Sequence, residues 1–427
     1  MTPLRLGLLG LGTVAQGVLS ILKTSGPLMR DRCGRELVVT RVASRRLRDN
    51  VDLGGAEFSP DLASVVAADD VDVVVECVGG EQPCLDLLTE ALRNGKSVVT
   101  ANKALIATHG DLLHVLAAER GVTLSYEAAV AGGIPVLGAL TQGLAANRID
   151  WIAGIINGTS NYILTAMAQR GQDFETALRD AQDLGYAEAD PTFDIEGVDA
   201  AHKLAILAGL GFGRAFRFDA VTCTGISSVT GADIAFADRL GYVIKHLGIA
   251  RSPTDAGAIE LCVHPALVPK SAPLAQVNGV TNAVMVGGDA VGSTVYIGPG
   301  AGKLPTASAV LADVVAIARG QAAPRRLAAE GEVSSATSPS PHYLRLQVKD
   351  QTGVFARITA ALSTVGVGIE AALQDAHKTT TPGEAGVPIV FLTQPVATVA
   401  LETAIEAIAQ QDDAVLATSL LRVEALD

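Results

Sequence analysis

The chain has 427 residues and a net charge of −13, with 49% hydrophobic but only 4% aromatic residues. That length exceeds what one core normally supports, and such a composition suits several α/β layers packed from Ala, Val, Leu and Ile; it excludes a disordered chain. The acidic balance argues against a nucleic-acid or anionic-membrane partner, and no apolar run reaches the roughly 18 residues that span a bilayer.

From the N-terminus, LRLGLLGLGTVAQGVLSIL reads as a short apolar strand, a turn with Gly10, Gly12 and Ala15, and then an apolar helical period. This is the GxGxxG/A arrangement, in which backbone approaches a pyrophosphate at a helix N-terminus. Gly10, Gly12, Thr13 and Val14 are the candidate cofactor-binding residues of this turn. A second apolar strand, predicted over Leu37 to Ala43, runs into Ser44, Arg45 and Arg46. An enzyme using NAD usually carries an acid there for the ribose 2′-hydroxyl, whereas arginine suits a 2′-phosphate. Arg45 therefore predicts a preference for NADP(H), with NAD(H) as the second option and a solvated basic loop as the alternative reading.

Strands are then expected at Val71 to Cys77, Ser97 to Thr100 and Val122 to Tyr126, and helices at Pro83 to Asn94 and Leu105 to Arg120. That alternation predicts a Rossmann-type doubly wound parallel sheet over residues 1–128. Cys77 to Gly80 and Lys103 fall just past strand ends, where such sheets bind ligands, although an exposed lysine after a strand is also common.

Beyond Tyr126, EAAVAGGIPVL pairs Glu127 with a glycine turn whose carbonyls are uncommitted, a plausible hard-cation site or simply a turn. GIINGTSNYIL sets Asn157, Thr159, Ser160 and Asn161 between a strand and a helix, either to cap that helix or to line a substrate pocket. In LGYAEADPTFDIEGVDAAHKLAILA the period turns helical from Ile195, which puts Asp199 and Lys203 at i and i+4 on one face, with Glu188 and Asp190 in the approaching loop. Such a cluster can hold a small zwitterion and move a proton at an oxygen; an ordinary helix-surface ion pair is the competing reading. IGPGAGKLPTASAV has Gly298, Gly300 and Gly302 feeding a further helix, as if the chain returned to the cofactor crevice.

Residues 321–341 are polar and rich in small side chains, and read as an interdomain linker. Residues 342–427 then alternate as βαββαβ, which predicts an antiparallel sheet with two helices on one face. Between the first strand and helix of this segment, Asp350 to Gly353 form a turn that suits an amino-acid carboxylate or a plain helix cap. Five cysteines, Cys33, Cys77, Cys84, Cys223 and Cys262, lack metal-type spacing, and with no signal-peptide layout at the N-terminus they predict a reducing, cytoplasmic setting.

Taken together, GLGTVA, VVTANKALIA, Glu127 to Pro135, NGTSNYIL, LGYAEADPTFDIEGVDAAHKLAILA and GPGAGKLPTASAV resemble, in order and over essentially the whole length, the homoserine dehydrogenases that carry a C-terminal ACT domain. The resemblance implies a dinucleotide-binding domain over 1–128, completed by about 298–320, and an α+β catalytic and dimerisation domain over 129–297. An ACT regulatory domain over 342–427 would follow the linker. It implies NAD(P)-dependent interconversion of L-aspartate 4-semialdehyde and L-homoserine in threonine and methionine biosynthesis. By motif, Lys203 resembles the acid/base lysine, Asp199 its neighbour, Glu188 the carboxylate that binds the substrate ammonium, with Asp190 beside it, and Lys103 the lysine on the nicotinamide side, with Gly302 at the cofactor. Glu127, Val130, Gly132 and Ile134 resemble a sodium-binding loop, the last three through carbonyls. A homodimer or homotetramer and a threonine effector at the ACT domain are implied as well, although QDAHKTTTPGEAGVPIVFLTQ carries an unusually long turn. A non-catalytic sensor of redox state and amino-acid level, and another ACT-tailed amino-acid dehydrogenase, are the rival readings.

Overall fold

The computed structural model describes residues 2–48, 50–252, 258–321, 333–334, 338–374, 386–411 and 414–426. The first unit alternates β1 (Leu4–Leu9), α1 (Thr13–Cys33), β2 (Leu37–Ala43), β3 (Glu57–Ser59), α2 (Ala63–Ala67), β4 (Val73–Glu76), α3 (Cys84–Arg93), β5 (Ser97–Thr100), α4 (Lys103–Arg120) and β6 (Leu124–Ser125). Its six strands are parallel and ordered β3-β2-β1-β4-β5-β6, the order of a dinucleotide-binding sheet. The strands are nearly continuous apolar runs because helices cover both faces, with Leu6, Leu8, Val74, Val75, Val98 and Val99 fully buried. The expected strands and helices appear here with shifts of a few residues at their ends; β3 and α2 had no clear periodic signal.

A short helical passage, α5 (Val136–Gly138), leads into the second unit: β7 (Ile149–Ile155), α6 (Gly158–Arg170), α7 (Phe174–Asp183), α8 (Thr192–Ile195), α9 (Val198–Phe212), β8 (Thr222–Cys223), α10 (Gly231–Arg239), β9 (Tyr242–Arg251), β10 (Ile259–Pro269), β11 (Thr281–Gly288) and β12 (Gly292–Pro299). Helix α11 (Lys303–Ala318) then returns to the first unit and packs on α1 so closely that a Cβ on Gly17 would meet the Lys303 carbonyl oxygen at 2.4 Å. Val310 and Val314 of α11 accordingly share a core with Leu6, Leu8 and Val18.

The C-terminal segment is β14 (His342–Val348), α12 (Val354–Thr364), β15 (Ile369–Gln374), β16 (Val387–Thr393), α13 (Thr398–Gln411) and β17 (Val415–Val423), the βαββαβ order expected. Its long turn lies outside the described residues. The unit does not stand apart from the rest. Its last strand pairs with β10, Ala266 opposite Arg422 and Leu267 opposite Val423, so the second and third units share one eleven-stranded sheet. Within the segment read as a linker, β13 (Val333–Ser334) also pairs with β10, and Ser338 donates to Glu260. Buried ion pairs reinforce the seam: Arg422 Nη1 lies 2.8 Å from Glu260 Oε1, Arg251 contacts Glu424, and Arg345 Nε lies 2.7 Å from Asp233 Oδ1 on α10. No described helix is long and apolar enough to cross a membrane.

Candidate active site

The helix expected from Ile195 is interrupted. Gly197 takes φ +86°, and a Cβ there would press on Val263 at 2.9 Å and on the His246 ring, so the chain turns and α9 starts afresh at Val198. The break places Asp199 in the first turn of a helix, where the macrodipole favours negative charge. Lys203, one turn on, donates from Nζ to Asp199 Oδ2 at 2.6 Å and to the Ile156 carbonyl at 2.7 Å. Lys103, the first residue of α4 past the carboxyl end of β5, reaches the other oxygen, its Nζ 3.2 Å from Asp199 Oδ1. Two ammonium groups from two units thus converge on one buried carboxylate. Burial alone would push the Asp199 carboxyl up, but Lys203 and Lys103 outweigh it and hold it at about 2.

Asn157 caps α6, its Oδ1 accepting from Ser160 N at 2.8 Å, while its Nδ2 donates at 2.8 Å both to Asp199 Oδ2 and to Asp194 Oδ1. Thr159 adds a hydroxyl to Asp194 Oδ2 at 3.0 Å. The NGTSN segment therefore both caps a helix and lines the site. Asp194 was missed in the sequence; its position five residues before Asp199 gives no helical signal, because α8 ends between them. His202 lies flat on Phe218 with ring centroids 3.9 Å apart and stacks on Phe193, whose ring centroid is 6.0 Å from Lys103 Nζ. Burial lowers the His202 pKa, and the stack walls one side of the two-lysine cluster.

Glu188 and Asp190 are placed differently from Asp199. Both are exposed on the loop before α8, and Asp190 turns back to accept from Thr192 N at 3.1 Å. The glycine turn forms as read: Gly10 takes φ +92° with room for a Cβ only 2.9 Å from the Cys77 carbonyl oxygen, while nothing stands over Gly12, leaving the start of α1 at Thr13 and Val14 open. Arg45 is exposed just beyond β2. Gly302, with φ +129°, starts α11 beside α1.

Glu127 is buried, with Oε1 accepting from Leu137 N at 2.8 Å and Oε2 from Gly138 N at 2.7 Å, and burial raises its pKa. Asp313 is its neighbour and accepts from Glu127 N at 2.9 Å; burial, with Glu127 adding to it, pushes the Asp313 carboxyl up to about 8. Neither has a cationic side chain as ion-pair partner among the described residues. In the following loop Ala131 and Gly132 both take left-handed backbone, and Gly132 abuts the Gly300 carbonyl. Among the described residues no cluster of three or more His, Cys, Asp or Glu is arranged for a metal, so a cation beside Glu127 would lean on main-chain carbonyls such as those of Val130, Gly132 and Ile134.

A glycine turn on a dinucleotide-type sheet, together with a buried carboxylate held by two lysines, one of them just past the end of β5, suits a nicotinamide-dependent dehydrogenase. Comparison with known proteins narrows that class. Residues 10–127 match the family model "Homoserine dehydrogenase, NAD binding domain", and residues 135–315 match that of "Homoserine dehydrogenase". The homoserine dehydrogenase of Pseudomonas aeruginosa is 45% identical over 100% of both chains. Among solved structures, a homoserine dehydrogenase from Thiobacillus denitrificans is 44% identical with a TM-score of 0.92, covering 100% of this chain and 99% of its own. That of S. aureus is 32% identical with a TM-score of 0.80 over 100% of both. The chain belongs to the homoserine dehydrogenase family.

Proposed function

We propose that the chain reduces L-aspartate 4-semialdehyde to L-homoserine with Lys203 as the proton donor and Asp199 as the group that orients it. The observation that carries this reading is the convergence of Lys203 and Lys103 on Asp199, with Lys103 just past the carboxyl end of β5, where sheets of this kind bind ligands. A bound nicotinamide cofactor supplies the hydride. The protein contributes placement and charge. One carboxylate between two ammonium groups leaves a net positive charge where the aldehyde oxygen becomes an alkoxide, the electrostatic match a reduction needs. Lys203 has its donors fixed by Asp199 and the Ile156 carbonyl, so its remaining proton is directed rather than free to rotate. Glu188 and Asp190, exposed on the adjoining loop, take the substrate ammonium, with Asp194 behind them.

Arg45, with no acid at 44–46, favours NADP(H) over NAD(H). Gly10, Gly12, Thr13, Val14, Lys103 and Gly302 would line the cofactor. Glu127 fits a monovalent cation, since its buried carboxylate lacks a cationic side-chain partner among the described residues; a sodium ion held with Val130, Gly132 and Ile134 would stabilise the charged form. The βαββαβ unit is read as an ACT domain with threonine as its ligand. β12 is one of the two edge strands of the large sheet, and exposed Ile297 on it suits a second copy of the chain, in a homodimer or homotetramer. The setting is read as cytoplasmic.

Following NADPH absorbance with aspartate semialdehyde present tests the reaction: consumption is expected, and binding without consumption would favour a sensor. Threonine titrated into the same assay on the full chain should inhibit, and constant turnover at saturating threonine would remove it as the effector.

A further inference from the structure

Glu76 is the last residue of β4 and is 1% exposed, yet no ion pair is made by its carboxylate among the described residues. Donors surround it instead. Oε1 accepts from Val78 N at 2.6 Å and Gly79 N at 2.8 Å, with the Cys84 thiol also directed at it, and Oε2 accepts from the Thr100 hydroxyl. The first three belong to the loop and helix start after β4, and the fourth is the last residue of β5, the strand that leads to Lys103.

The chain of bonds continues in one direction. Because the Thr100 hydroxyl gives its only proton to Glu76, its lone pairs are left to accept from Asn102 N at 3.0 Å. Asn102 then caps α4 through Oδ1, which accepts from Leu105 N at 3.2 Å, and ties back to the first loop by donating from Nδ2 to the Gly80 carbonyl at 2.6 Å. Lys103 is the next residue. The loop held by Glu76 also touches the glycine turn, through the Cys77 carbonyl against Gly10.

We propose that Glu76 is a positioning residue for the reaction, fixing where α4 begins and so where the Lys103 ammonium meets Asp199. This rests on the reading of the two-lysine cluster as the reacting site. A carboxylate is required because every group facing it is a donor. Glutamine would put an N–H either against Val78 and Gly79, a donor-to-donor clash, or against Thr100, whose hydroxyl proton would then lose the acceptor that sets its orientation toward Asn102.

The test is a double-mutant cycle between Glu76→Gln and Lys103→Met on the full chain, read as kcat with aspartate semialdehyde and as NADPH Kd by fluorescence. Loss of an outer hydrogen bond that orients a reacting group typically costs about 10- to 100-fold, and that fall in kcat is expected for Glu76→Gln alone. In the Lys103→Met background the same substitution should cost no more than about threefold, since coupled residues are non-additive. Adding Glu76→Gln should change NADPH Kd little in either background, whatever Lys103→Met itself does to it. Thr100→Val, which cuts only the link from Glu76 to Asn102, provides the second arm if Glu76→Gln folds poorly, and should show the same dependence on Lys103. An equal penalty in both backgrounds, or wild-type kcat in both Glu76→Gln and Thr100→Val, overturns the proposal. Absence of turnover in the unmodified chain would instead overturn the reaction assigned to the site.

Discussion

Two buried carboxylate clusters in this chain look alike in composition and behave as opposites. At the sheet seam, Glu260 and Glu424 meet Arg422 and Arg251, and the Arg422 guanidinium is spent inside the protein, bonding Glu260, Ser340 and the Ser338 carbonyl. At the crevice, Asp199 meets lysines, and the side chain of Lys103 is still 35% exposed. Arginine offers a planar fork with five donors and holds its charge, which suits a closed seam; lysine is a compact charge on a flexible stem that can lend a proton. The difference teaches that burial of charge alone does not mark a reacting site. What sets the two-lysine cluster apart, and makes it the candidate, is a donor left facing the open side.

The comparison breaks most readily at Lys203. Lys203→Ala should lower kcat by about 10² to 10⁴, the usual worth of a placed proton donor, with little change in NADPH Kd. Near-normal turnover would put Lys203 in the same structural class as Arg422. The reciprocal change, Arg422→Met, should leave kcat close to wild type and cost about 3 kcal/mol in urea unfolding, the low end for a broken buried pair because Arg251 still contacts both glutamates. A fall in kcat without a loss of stability would mean the seam takes part in turnover. Arg45→Ala should raise KM for NADPH about tenfold, as expected for one charge-assisted bond, and leave KM for NADH unchanged. Acid sharpens the contrast last. Asp199 and Glu424 are both held at about 2, below ordinary values of 3.8 and 4.5, and Glu260 is also lowered. Burial opposes ionisation at each, and the neighbouring cations outweigh it. Folded pKa values below unfolded ones give stability that is present above about 4.5 and lost as pH falls toward 2. Arg422→Met should therefore unfold at higher pH than wild type, followed by the fluorescence of the single tryptophan, Trp151.

How much of this was legible depends on distance along the chain. The glycine turn and the Asp199–Lys203 pair are local patterns of period and spacing, and both are where the sequence puts them. Five of the six strands of the parallel sheet follow from alternating apolar runs, β3 excepted, and so does the βαββαβ unit. Asp194 meets Asn157 across 37 positions, and Glu76 meets Thr100 across 24, so neither contact leaves a periodic trace. The helix break at Gly197 depends on Val263 and His246, from strands that come later. Likewise the linker composition of 321–341 gives no sign that Val333 and Ser334 pair with β10, because two residues are too few to show alternation.

Strand β10 carries a final consequence. One side is zipped to β9 along most of its length, while the other is covered in three short patches, by β13 at Ile259 and Glu260, β8 at Cys262 and Val263, and β17 at Ala266 and Leu267. Two of those patches come from beyond residue 320. A shortened chain ending there would present a long, apolar, raw border of main-chain donors and acceptors, the template on which foreign strands assemble into aggregates. The tail thus closes that border against misassembly.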